Sequence, residues 1–248
     1  MASFIKGLEL DKEDLRGKLV ALKEEAGNDG SFCLSCLMWQ CLSKHDNGLL
    51  LLAAQRPFNH YYHVGMKLGY NLMSQSKRAV VLELGKALAE GTDEAPFANI
   101  GTGEEDALKG LFIGLRQRLE ELKSQCSHIY FIIDNLSSFL FLGFTSRQLT
   151  TLLHYLRTLA SDSVTLVISV QTNHDDEEET QLSAYLCQVA DVRLAVAPLR
   201  TGASQDVSGS IELSKKDASK IESWTKPMLY HYKLSERNVK IFLPGNIL

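Results

Sequence analysis

Six short apolar runs recur along the first two hundred residues, at 18–23, 48–56, 78–84, 128–134, 163–171 and 191–199. Each of the five intervals between them holds a segment long and periodic enough for a helix. Antiparallel strands can be joined by turns of two residues, whereas parallel strands need a crossover, usually helical. The alternation therefore predicts an α/β chain with a mainly parallel sheet and helices on both faces, a three-layer sandwich. The helical intervals are 31–45, 58–72, 106–123, 146–160 and 180–190. The segment 106–123, "DALKGLFIGLRQRLEELK", has the clearest amphipathic spacing. After residue 207 the pattern changes: "GSIELSKK" and "MLYHYKLSERNVKIFLPG" alternate as hairpin strands do, predicting antiparallel hairpins over about 207–244. At 248 residues the whole chain, 1–248, is expected to be one domain.

Charge and cysteine usage narrow the function classes. Twenty-six basic against thirty acidic residues give a formal net charge of -4, which excludes the strongly basic surface of a protein that binds nucleic acid alone. Five cysteines without framework spacing fit a reducing compartment, cytoplasm or nucleus. Cys33, Cys36 and Cys41 lie in an apolar, helix-like run with no second ligand pair, so packing rather than zinc or redox chemistry is expected of them. The stretch "IYFIIDNLSSFLFLGF" is interrupted by Asp134, Asn135, Ser137 and Ser138 and falls short of a membrane span. The N-terminal stretch has charges every few residues and does not read as a secretory signal.

The turn "EEAGNDGSF" after the first strand sits where a phosphate-binding loop belongs. In the spacing G-x-x-x-x-G-K-[ST], Gly30 takes the second glycine. Glu25 then stands for the first glycine, Ser31 for the lysine and Phe32 for the hydroxyl that holds magnesium. A serine brings no positive charge to the β- and γ-phosphates, a phenyl ring offers magnesium no oxygen, and Glu25 and Asp29 add negative charge. The strand ending in Asp134 has the shape of a Walker B element, but that aspartate is expected to be a structural relic. No cofactor, metal or catalytic residue is expected.

Other candidates are weaker. In "HYYH", 60–63, the aromatic residues suit an interface or the chain's own core, and His60 and His63 lack a third metal ligand. The run "NHDDEEET", 173–180, is expected to be a solvated acidic loop that repels RNA. The basic groups at 200–205 and 214–220 are sparse, and no RNA-contact residue is identified. No nucleophile elbow G-x-S-x-G is present and no cysteine has a base beside it, which disfavours an unrelated hydrolase.

Four stretches, "NDGSF", "FNHYYHVGMKLGYNL", "IIDNLSSFLFLG" and "YHYKLSERNVKIFLPG", resemble the family of the sixth subunit of the Elongator complex over nearly the whole chain. The resemblance implies a RecA-like ATPase fold without the Walker A residues. It also implies assembly with Elongator proteins 4 and 5 into a heterohexameric ring that works with the core Elongator subunits. Such a ring binds tRNA and supports modification of its wobble uridine, with tRNA release linked to ATP hydrolysis. An alternative stays open: the chain binds ATP through an atypical loop, or lends an arginine such as Arg157 or Arg200 to a neighbour's site.

Overall fold

A computed structural model describes residues 2–90, 96–199, 202, 204, 206–216 and 223–245. Among the described residues nine strands form one sheet: β1 (Leu19–Glu25), β2 (Asn47–Ala53), β3 (Ala79–Glu83), β4 (His128–Asp134), β5 (Val164–Thr172), β6 (Val192–Ala197), β7 (Gly209–Lys215), β8 (Met228–Ser235) and β9 (Asn238–Phe242). Their order is β3-β2-β4-β5-β1-β6-β7-β8-β9. Neighbours from β3 to β6 are parallel, and those from β6 to β9 antiparallel. The predicted architecture, a mainly parallel sheet extended by C-terminal hairpins, is the one observed.

The helices are α1 (Ala2–Gly7), α2 (Ser31–Leu42), α3 (Phe58–Leu68), α4 (Leu84–Glu90), α5 (Glu105–Lys123), α6 (Ser146–Arg157) and α7 (Glu177–Val189). Strand alternation sends Val20, Leu22, Leu49, Leu51 and Ile132 to the face covered by α1, α2 and α3. It sends Leu19, Ala21, Leu50, Phe131 and Ile133 to the face covered by α5, α6 and α7. Cys33, Cys36 and Cys41 are buried in the first of these cores, as small hydrophobes in the helix reading of that run. The glycine stop after α3 is Gly69, whose φ of 91° lies in the left-handed region that ends helices. Among the described residues no helix is long and apolar enough to cross a membrane.

Three sequence expectations need correction. The acidic run is not a loop throughout: Glu177, Glu178 and Glu179 form the first turn of α7, and the side chain of Asp176 caps it by accepting from the Glu179 amide. Negative charge at a helix N-terminus meets the positive end of the backbone dipole, so this run starts a helix rather than preventing one. Second, the interval between the third apolar run and the helical segment 106–123, to which the pattern assigns no element, holds α4 directly after β3 and a 3-10 turn over Ile100–Thr102. Third, α1, absent from the sequence reading, packs on β9, with the Ser3 hydroxyl donating to the Val239 carbonyl at 3.1 Å.

Candidate functional site

In an open α/β sheet, ligands bind outside the carboxyl ends of the parallel strands. Here that end gathers the β1–α2 loop, the segment between β2 and α3, and the tip of β4. The face of β1 that carries Val20 and Leu22 continues with Glu24, so its side chain points under the loop and is almost fully buried. Glu24 Oε2 accepts from the Gly30 amide at 3.1 Å, while Oε1 is buried with no partner among the described residues. Asp29 Oδ1 accepts from the Ser31 amide at 2.9 Å. The amide groups a phosphate would use at this helix start are thus taken by the chain's own carboxyls. Gly30 is needed here, because a Cβ at that position would lie 2.9 Å from Glu24 Cγ.

The remaining positions of the motif are equally committed. Phe32, at the magnesium-hydroxyl position, is buried against Phe4 and Tyr232, with ring centroids at 5.8 Å and 4.6 Å. It anchors α1 and β8 to the start of α2. Ser31 opens α2 and supplies no cation. Glu25, expected to place charge in the loop, instead shares the opposite face of β1 with Lys23, beside Ala197 and His231. The correction rests on strand alternation: the carboxyl under the loop belongs to Glu24, one position before the residue that the motif spacing selects.

Asp134 is fully buried at the end of β4. Tyr61 donates to its Oδ2 at 2.7 Å and Ser169 to its Oδ1 at 3.1 Å. These bonds occupy both oxygens of Asp134. Burial pushes its carboxyl up, against the pull of Tyr61, Arg56 and Ser169. Burial likewise pushes Glu24 up to about 7, relieved in part by the Gly30 amide and reinforced by Asp134 and Asp29. Burial also raises Asp29, but the Ser31 bonds and Arg56 outweigh it and leave that carboxyl low. Arg56 Nη2 lies 3.0 Å from Asp29 Oδ1, an ion pair at the mouth of the site.

The run 60–63 divides by helix geometry. Tyr61 faces inward to Asp134, whereas Tyr62 stacks on Phe58 at 6.1 Å and stays half-buried. His60 Nε2 lies 3.2 Å from Arg56 Nη1, and burial together with that guanidinium lowers its pKa. A metal at His60 would sit against a fixed positive charge, and no cluster of three or more metal-ligating side chains occurs among the described residues. Arg157 is engaged far from the loop: Nη2 donates to Asp191 Oδ2 at 2.8 Å and Nη1 to the Gly17 carbonyl at 3.2 Å, at the amino ends of the strands. It is a structural clamp rather than a free finger. Arg200, residues 201, 203 and 205 of the first basic group and 217–220 of the second lie outside the described residues.

The family model for Elongation complex protein 6 matches residues 8–236. The chain belongs to the Elongator complex protein 6 family. Relatives of that name are 30% identical over 244 residues in Drosophila melanogaster, covering 96% of this chain and 94% of the relative. In Homo sapiens the identity is 27% over 250 residues, covering 93% and 91%. A crystal structure of a KaiC-like protein from Pyrococcus horikoshii superposes with a TM-score of 0.59 over 92% of this chain and 90% of that one. At 9% identity this shows the fold alone, which is RecA-like. In this chain the place of a nucleotide loop in such a fold is filled by Glu24, Asp29 and Phe32.

Proposed function

We propose that this chain is a non-catalytic RecA-like subunit of Elongator, joined with Elongator proteins 4 and 5 in a heterohexameric ring. In this reading the ring contacts tRNA and supports wobble-uridine modification by the core Elongator subunits in the cytoplasm, with a nuclear pool. The carrying observation is the occupied loop: Glu24 and Asp29 accept from its amides, and Phe32 is packed in the core where a magnesium ligand would be. A triphosphate would have to displace two carboxyls, and no lysine would replace the lost bonds.

A subunit of a closed ring needs two different contact surfaces. Exposed apolar side chains occur on separate elements: Phe141, 79% exposed, lies beyond the end of β4, while Ile113 and Tyr155 lie on α5 and α6. Such residues supply contact area once covered. Co-expression with the two related subunits and native mass measurement of the product tests the reading. One high-mass species containing all three chains is expected, and a chain that stays monomeric beside both would overturn it. For the chain alone, calorimetric titration with magnesium-ATP should show no saturable binding.

A further inference from the structure

Among the described residues the buried carboxyl of Glu24 is held by a single amide and has one oxygen with no partner, an arrangement that goes beyond the loss of nucleotide chemistry. We propose that Glu24 is a proton-controlled latch on the β1–α2 loop, closed on the Gly30 amide while neutral and released to water together with the loop when it ionises. With the proton on Oε1, Oε2 remains a carbonyl-like acceptor for Gly30. The unpartnered atom is then a neutral hydroxyl rather than a charge, which is far less costly to bury.

The groups facing Glu24 favour that neutral form. Asp134 from β4 and Asp29 from the loop oppose its ionisation, and Arg56, committed to Asp29, is the one cation that favours it among its main influences. Tyr61 from α3, Cys33 from α2 and Tyr232 from β8 also lie within its electrostatic reach, each with its own ionisation raised first by burial. Burial and these carboxylates place its titration near neutrality, where a modest pH change alters the charge. The direction is fixed by linkage: the closed loop holds the proton more tightly than the open one, so opening is favoured as pH rises.

The test is hydrogen exchange of the full chain, read by mass spectrometry on peptides covering 24–32, with β5 peptides as the reference and rates corrected for the intrinsic pH dependence. Protection of the loop should fall about tenfold between roughly pH 6 and 8.5 and level off above about pH 8. Glu24→Gln, which keeps the acceptor for Gly30, should give a flat profile. Asp134→Asn, which removes the neighbouring carboxylate, should move the midpoint to lower pH. A flat wild-type profile overturns the latch without any variant, and so does a Glu24→Gln profile that falls as the wild type does. If Glu24→Gln does not fold, an Asp134→Asn midpoint equal to that of the wild type overturns it.

Discussion

The two ends of the central strands both hold buried or half-buried carboxyls, and they treat them differently. At the amino end, Asp191 Oδ2 accepts from the Leu19 amide and from Arg157, each at 2.8 Å, and Lys216 stands 3.6 Å from Oδ1. This knot ties the starts of β1 and β6 to the end of α6. At the carboxyl end, Glu24 has one amide and an unpartnered oxygen, with Asp134 and Asp29 adding like charge. A carboxyl bonded to an amide and a guanidinium ties elements together, whereas Glu24 keeps a buried oxygen unused at the end of the sheet where ligands bind in folds of this class.

The largest expected effect breaks this contrast at the loop itself. Ser31→Lys with Phe32→Thr restores the motif letters but removes the ring that Phe4 and Tyr232 pack on, at a cost of about 3–4 kcal/mol in denaturant melts. Magnesium-ATP turnover should stay absent, because Glu24 and Asp29 still hold the amides; turnover would show that the remaining site is functional. Next in size is Asp191→Ala, which strands the Leu19 amide and Arg157 and should destabilise by about 2–3 kcal/mol in urea unfolding.

Amide substitutions at the two ends should have opposite signs. Glu24 has its folded pKa raised from 4.5 to about 7. Its contribution is therefore complete below the unfolded value and is lost as pH rises through 7, so the wild type should lose about 2 kcal/mol between pH 5 and 8 on this account. Glu24→Gln should remove that slope and be the more stable protein at pH 8, while Asp191→Asn should be less stable at both pH values. Equal signs would end the comparison. The smallest effect is expected at Phe141→Ser, within about 0.5 kcal/mol of wild type by thermal melting, since the ring has little to pack on in the isolated chain. Its effect should appear instead as weaker assembly with partner subunits.

Much of the fold is legible in the sequence because strands and crossover helices alternate there as they do in space. The β1–α2 loop is also legible as a turn that carries carboxyls and no lysine before a helix. Glu24 escapes a reading by motif because the spacing selects Glu25, although the inward series Val20, Leu22, Glu24 is present in the strand period. The buried bond from Tyr61 to Asp134 joins residues 73 positions apart, and no local pattern signals such a pair. Five acidic residues in a row suggest solvent, while the contribution of four of them, Asp176 as cap and Glu177, Glu178 and Glu179 as first turn, depends on Leu182 and Leu186 further along α7, which bury the helix they begin. Arg157 looks available as a finger until the fold places Asp191 beside it.

The packing of Tyr232 on Phe32, and of α1 on β9, carries a consequence for biosynthesis. The N-terminal core cannot be sealed until β8 and β9 have left the ribosome. A chain without β8 and β9 would therefore lose more than an edge: Phe4, Phe32 and Ile211 would be laid bare together, making it a substrate for chaperones and quality-control proteases.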